Sequence, residues 1–127
     1  MKLFNPTSKH PARAVQAWQI LVGQAMNRQT ITYLGLSRLM YGKDAQGVLD
    51  KILGHIAFYC IDSELPPLTS IVVGKGRGTP GDDIPVDLSQ INTQREEVYE
   101  FNWYNVYPPS ENGLQSAFDH HCKKKIS

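Results

Sequence analysis

Residues 31–61 read ITYLGLSRLMYGKDAQGVLDKILGHIAFYCI, and this stretch decides the fold. Thr32 precedes a short apolar segment and can cap a helix over about residues 33–40. Gly42 and Asp44 then provide a turn and a cap before a longer helix. Apolar residues recur at helical spacing along that longer helix, at Val48, Leu49, Ile52, Leu53, Ile56 and Tyr59. The stretch therefore predicts two helices joined by a tight turn.

Another helix is predicted before this stretch. Pro11 suits the first turn of a helix, because its missing N–H would be unpaired there anyway. Apolar residues follow at three-and-four spacing, at Ala14, Val15, Trp18, Leu21, Val22 and Ala25. We therefore expect a helix over about residues 11–26 and an extended segment over residues 29–33 between the first two helices.

The chain changes character after the long helix. Leu65-Pro66-Pro67 stops the helical pattern, because proline does not continue a helix. Leu68 to Val73 is a β-branched run of strand length, and residues 74–81 form a glycine-rich basic loop, or wing. Helix, short helix, long helix, strand and wing is the order of a winged-helix module.

Two further helices are predicted in the last third of the chain. Thr93 and Glu96 match a capping box, which indicates a helix over about residues 93–102. Tyr107-Pro108-Pro109 breaks that element, and a terminal helix is predicted over residues 113–125.

The fold class follows from this order. We expect one mainly α (α+β) domain over residues 1–127, because this length leaves no room for a second core. A winged-helix-like three-helix core with a short strand and wing spans about residues 11–81. An acidic extension with additional helices spans about residues 82–127. The predicted core residues are Trp18, Leu21, Val22, Leu36, Leu49, Ile52, Leu53, Ile56, Ile71 and Val73.

Charge is distributed unevenly along the chain, although the net charge is only +1. Residues 1–43 contain six lysines and arginines and no acidic residue, whereas residues 82–119 contain eight acidic residues against Arg95 alone. A basic segment attracts a partner of opposite sign, and that partner is often nucleic acid. The alternative is that the two segments neutralise each other across the fold. The overall balance excludes an acidic DNA mimic.

Residues 12–80 resemble the winged-helix domain of the DNA alkyltransferases and alkyltransferase-like proteins. The resemblance rests on Ile31-Thr32-Tyr33, the Tyr41-Gly42 turn, the long helix and the proline-containing entry to the strand. In that family the tyrosine matching Tyr33 helps to rotate a damaged nucleotide out of the stack. Gly47 stands near the family's arginine, and Pro66 to Ser70 replaces the Pro-Cys-His-Arg segment that carries the reactive cysteine. The resemblance thus implies a DNA-binding fold without alkyl transfer.

The basic surface gives the first functional hypothesis, a non-enzymatic nucleic-acid-binding protein. Lysines and arginines would neutralise phosphates, and neutral side chains would add hydrogen bonds to the backbone. The candidate residues are Arg28, Thr30, Thr32, Tyr33, Arg38, Lys43, Gln46, Lys75 and Arg77. The alternative for these residues is an ordinary solvated face with Tyr33 half-buried in packing.

The acidic segment gives the competing hypothesis, a protein–protein interaction module. Its acidic helix and its aromatic residues, taken as exposed, would dock another protein. The candidate residues are Glu96, Glu97, Glu100, Trp103, Tyr104 and Tyr107.

No catalytic constellation or cofactor motif is evident. His120-His121-Cys122 contains metal-binding atom types, but adjacent helical residues point in different directions, so we expect no metal site there. Further ligands would have to come from His10 or His55. Cys60 lies on the apolar helix and is expected to be a small buried residue. A metal enzyme around the terminal cluster remains a third, weaker hypothesis.

The composition favours a cytoplasmic location and argues against a membrane partner. Hydrophobic residues make up 41% of the chain and charged residues 20%, which is ordinary for a globular protein. No uninterrupted apolar stretch reaches the length of a membrane span, and no signal-peptide pattern follows Lys2.

Overall fold

The computed structural model describes residues 1–5, 8–74 and 90–126, and the protein is mainly helical. The five α-helices of the described residues are α1 (His10–Met26), α2 (Tyr33–Tyr41), α3 (Gln46–Asp62), α4 (Ile91–Glu100) and α5 (Glu111–Ile126). Two short strands, β1 (Ile31–Thr32) and β2 (Val72–Val73), pair in parallel. The predicted wing over residues 74–81 lies outside the described residues from residue 75 onward.

The turn between α2 and α3 is held by side chains and glycine geometry. Thr32 accepts a hydrogen bond from the Gly35 N–H at 2.9 Å, as predicted for the cap of α2. Gly42 ends α2 with φ +73°, a conformation that favours glycine. Ala45 is the N-cap residue of α3, one residue after the predicted Asp44, and its own side chain makes no cap hydrogen bond. Instead the buried Ser37 hydroxyl accepts from the Ala45 N–H and donates to the Lys43 carbonyl.

The segment after α3 differs from the predicted strand. Only Val72 and Val73 are extended, whereas Leu68–Ile71 forms a 3₁₀ turn directly after Pro67. All six residues are nevertheless buried, so the apolar run packs inward as expected even though its backbone is mostly not a strand. β2 lies beside β1, with Ile31 opposite Val72 and Thr32 opposite Val73.

The C-terminal helices start earlier than predicted. α4 begins at Ile91, so Thr93 lies inside the helix and the proposed capping box with Glu96 is wrong. α5 begins at Glu111, where the Ser110 hydroxyl accepts a hydrogen bond from the Gly113 N–H at 3.0 Å. α5 packs against both α1 and α3.

The hydrophobic core lies between α1, α3 and the elements around them. Nine of the ten predicted core residues belong to one buried cluster, and Val73 is buried outside it. The C-terminal segment contributes Val98, Trp103 and Leu114 to the same cluster. Trp18 makes edge contacts with Tyr59 and with Trp103, at ring-centroid distances of 5.7 and 5.6 Å. None of the described helices has both the length and the apolar character needed to span a bilayer.

Candidate functional site

The structure separates the predicted nucleic-acid-binding residues into two groups. The first group lies between the end of α1 and the start of α2, and it consists of Arg28, Thr30, Thr32 and Tyr33. The second group consists of Arg38, in the last turn of α2, and Lys43, in the turn that follows. The side chain of Gln46 and residues Lys75 and Arg77 lie outside the described part of the chain.

Arg28, Thr32 and Tyr33 are already engaged within the protein, whereas Thr30 is exposed. The Arg28 guanidinium forms an ion pair with Glu96 at 2.8 Å and lies 5.2 Å from the ring centroid of Tyr99. Thr32 uses its hydroxyl to cap α2. Tyr33 is only 7% exposed and packs in the core cluster, so its ring does not project into solvent. The Arg28–Glu96 pair also joins the basic and acidic segments, as the charge-neutralisation alternative anticipates.

The second group is free to meet a ligand. Arg38 and Lys43 are exposed, and neither forms an ion pair with a described residue. Arg13, one of the six positive charges of residues 1–43, is by contrast only 5% exposed. Its guanidinium donates hydrogen bonds to the carbonyl oxygens of Met40 and Asn5. Arg13 lies one helical turn before Ala17, on the buried face of α1.

A basic cleft that sequence analysis missed lies where α1, α3 and α5 meet. It has a volume of about 520 Å³, and none of the described residues that line it is acidic. Its lining includes Lys9 and His10 at the start of α1, together with Lys51 and His55 from α3. No side chain caps the first turn of α1, so the partial positive charge of that helix end adds to these groups.

His55 of the cleft is held in a defined position, and its neighbour His10 is partly buried. The Nδ1 atom of His55 lies 2.6 Å from the Lys51 carbonyl oxygen, and because a carbonyl only accepts, Nδ1 carries the proton. The opposite ring nitrogen, Nε2, has no hydrogen-bond partner among the described residues. The His55 ring stacks on Phe118 of α5 at 4.1 Å. Partial burial, with repulsion from His55 and Lys51, lowers the pKa of His10 below its usual value.

The cleft and the second group occupy the same end of the helical bundle. Arg13, one turn into α1, contacts Met40 and Tyr41 at the end of α2. Lys43 follows two residues later, and Lys51 lies early in α3. We call Lys9, His10, Arg38, Lys43 and Lys51 the basic end. Arg28 lies beyond the other end of α1, and 17 helical residues span roughly 25 Å.

The acidic segment offers a different surface. Glu97 and Glu100 are exposed, and Tyr104 and Tyr107 are 69% and 93% exposed. The expectation that Trp103 is exposed is wrong, because it is 2% exposed and its indole N–H donates to the Val98 carbonyl at 2.8 Å. Tyr104 borders a groove of about 280 Å³.

The cysteines show no feature of a nucleophilic site. Cys60 is 1% exposed, as predicted, and burial raises its pKa to about 12. A thiol in that state holds its proton and reacts slowly, since the thiolate is the nucleophile. Cys122 is a partly buried free thiol near the end of α5.

The terminal histidines form a cluster that sequence analysis did not predict. His120 and His121 both approach the carboxylate of Asp62, the last residue of α3. The additional ligand therefore comes from Asp62, and neither His10 nor His55 joins the group. No local sequence pattern predicts this contact, because Asp62 is 59 residues from His121 in the chain.

Neither a protein-family model, nor a curated protein, nor a solved structure significantly matches this chain.

Proposed function

We propose that the protein is a non-enzymatic binding protein with a winged-helix-like core, and that its basic end binds nucleic acid. One observation carries the proposal: no acidic side chain among the described residues pairs with Lys9, Arg38, Lys43 or Lys51. Unpaired exposed cations attract phosphates, and each contact releases counterions from the nucleic acid.

The arrangement of elements supports the winged-helix part of the proposal. α1, α2 and α3 pack against one another, and a strand follows α3 and pairs with the segment between α1 and α2. The predicted wing, with Lys75 and Arg77, would extend from β2 and add two phosphate contacts. Gln46, at the start of α3, would add a neutral hydrogen bond. Arg28 is committed to Glu96, and Thr30 follows it two residues later at the distant end of α1.

The contacts proposed here favour affinity over sequence specificity. α3 offers Lys51 near its start, but it has no row of Arg, Asn and Gln side chains suited to base edges. Phosphate contacts fix position on the backbone and carry no direct sequence information. Cys60 and Cys122 are free thiols, which agrees with the reducing cytoplasm as the compartment we propose.

The test is a titration of labelled duplex DNA, single-stranded DNA and RNA with the full chain, followed by fluorescence anisotropy. The double variant Arg38→Ala/Lys43→Ala should weaken binding to every sequence. Arg28→Ala is the control, because it removes one positive charge at the distant end of α1, from a side chain already paired with Glu96. No binding at low salt by a protein with a folded circular-dichroism spectrum would contradict the proposal.

A second candidate function is docking of another protein at the acidic segment. The observation that favours it is the exposure of Tyr104 and Tyr107 beside the 280 Å³ groove. With Glu97 and Glu100 also exposed, the partner would present basic and apolar side chains. A Tyr104→Ala/Tyr107→Ala variant would keep its nucleic-acid affinity and lose the protein partner, which distinguishes the two functions.

A further inference from the structure

Three metal-binding side chains converge where the end of α3 meets α5. The Nε2 atom of His121 lies 2.8 Å from Asp62 Oδ1, and the Nδ1 atom of His120 lies 3.4 Å from Asp62 Oδ2. One ligand atom from each of the three residues lies within 4.8 Å of the other two. Such a set can surround a single ion without a large rearrangement.

The two histidines reach one point although they are adjacent on a helix. Adjacent helical side chains leave the axis in directions about 100° apart, which follows from 3.6 residues per turn. His120 turns its near nitrogen, Nδ1, toward Asp62, while His121 extends its far nitrogen, Nε2. The His121 ring is also held by stacking on Phe58 at 4.4 Å, with the two planes 8° apart.

The spacing of the ligand atoms fits a small tetrahedral ion. Zinc bonds to histidine nitrogen and carboxylate oxygen are about 2.0–2.2 Å, which places neighbouring tetrahedral ligands roughly 3.3 Å apart. The observed separations of 2.8 and 3.4 Å, each to a different oxygen of Asp62, lie on either side of that value. All three ligand atoms lie within 4.8 Å of one another, so an ion would draw them closer together by an ångström or so.

The electrostatic setting also favours a cation. Asp62 is the last residue of α3, where the helix dipole places partial negative charge. Hydrogen bonds from His121 and His120 lower the pKa of Asp62, so its carboxylate stays ionised. The ring nitrogens that a metal ion would use are the ones that now face the Asp62 carboxylate, so metal binding would replace these hydrogen bonds.

We propose that Asp62, His120 and His121 bind a divalent transition metal, with Zn²⁺ as the best match and a fourth position open to water or another ligand. Imidazole and carboxylate suit Zn²⁺, Cu²⁺ and Ni²⁺, whereas Mg²⁺ and Ca²⁺ prefer oxygen ligands alone. Three protein ligands and one open position distinguish this site from the closed, four-ligand sites that serve structure alone. The site is independent of the basic end and of nucleic-acid binding.

Isothermal titration calorimetry of the chelator-treated full chain with ZnCl₂ tests the site. We expect a single binding step with one Zn²⁺ per chain. Asp62→Asn, His120→Gln and His121→Phe should each reduce the affinity by at least about tenfold. The phenylalanine keeps a ring stacked on Phe58 but offers no lone pair.

Matched variants control for the residue types. His10→Gln removes a histidine outside the cluster, and Asp119→Asn removes a neighbouring carboxylate that accepts a hydrogen bond from Gln115. Both should bind Zn²⁺ like the parent protein. If His121→Phe fails to fold, Asp62→Asn and His120→Gln decide the question. These two side chains are 32% and 53% exposed, so their replacement leaves the core intact.

Three results would overturn the proposal. The first is the absence of any heat of Zn²⁺ binding by the parent protein at neutral pH, and the second is binding of Zn²⁺ by the cluster variants as tight as that of the parent. Binding of MgCl₂ as tightly as ZnCl₂ would likewise exclude a site defined by the two imidazoles.

Discussion

The Arg13 guanidinium donates a hydrogen bond to the Met40 carbonyl oxygen at 2.8 Å, joining the first turns of α1 to the last turn of α2. The same guanidinium lies between two aromatic rings, 4.7 Å from the ring centroid of Phe4 and 4.2 Å from that of Tyr41. One of the six positive charges of residues 1–43 is thus buried and links two helices.

Replacing Arg13 with Ala should lower the free energy of unfolding by about 1.5–3 kcal/mol, the range for hydrogen bonds that involve a charged group. The change leaves the Met40 carbonyl without this donor. Urea denaturation measures the effect, and Arg38→Ala, an exposed arginine of α2, should stay within about 0.5 kcal/mol of the parent. Equal costs for the two variants would mean that Arg13 is not a buried link.

Ile52 is fully buried in the centre of α3 and belongs to the main core cluster. Its replacement by Ala should lower the free energy of unfolding by about 2–5 kcal/mol, because the truncation removes buried apolar surface and leaves a cavity. The exposed neighbour Lys51 provides the control on the same helix, and Lys51→Ala should change stability by less than about 0.5 kcal/mol. A cost of a few tenths for Ile52→Ala would contradict the assigned helix phase.

His10 should make stability depend on pH. Its pKa is lowered in the folded protein, so the unfolded chain binds the proton more readily. The free energy of unfolding should therefore fall as the pH drops below the unfolded value of 6.5, and level off below the folded pKa. His10→Gln should make the decline shallower, as measured by thermal or urea unfolding at several pH values. A steeper decline in this variant would reverse the predicted sign.

Cys60 should be unreactive in the native protein, because the thiol is buried and its pKa is about 12. A thiol reagent should label Cys122 first, and Cys60 only after unfolding. Incubation with alkylated DNA should add no alkyl group to either cysteine. Mass spectrometry of the digested protein measures both outcomes, and an alkyl group on either residue would restore the alkyltransferase hypothesis.

The salt dependence of the nucleic-acid affinity should report the number of phosphate contacts. Each contact with duplex DNA contributes about −0.9 to the slope of log affinity against log salt. Three to five contacts therefore give slopes of roughly −3 to −4.5. Arg38→Ala/Lys43→Ala and Lys75→Ala/Arg77→Ala should each make the slope shallower by about two. Arg28→Ala and Tyr33→Phe should leave it unchanged, and a shallower slope in Arg28→Ala would mean that Glu96 releases Arg28 to the ligand.

Local sequence patterns were sufficient to predict most of the helices. The apolar spacing of α1 and α3, the Thr32 cap and the Gly42 turn depend on neighbours within one or two helical turns. The start of α4 was misplaced by two residues, because the Thr93–Glu96 pattern matches a cap that the backbone does not use.

Features that depend on distant contacts could not be predicted in this way. Trp103 is buried because it meets Trp18 of α1, 85 residues earlier in the chain. The approach of His121 to Asp62 depends on how α5 lies against α3. Local periodicity contains no information on either arrangement, so the sequence alone misassigned Trp103 to the surface and left the histidines without a partner.

The pairing of β1 with β2 bears on the order of folding. Ile31 and Val72 are paired although they are 41 residues apart in sequence, and α2 and α3 lie between them. Closing so long a loop costs conformational entropy before the hydrogen bonds between β1 and β2 can stabilise the structure. The helices, in contrast, form from local contacts. The ladder should therefore form late, after α2 and α3 have docked. Amide hydrogen exchange at these strands would then report the integrity of the assembled helices.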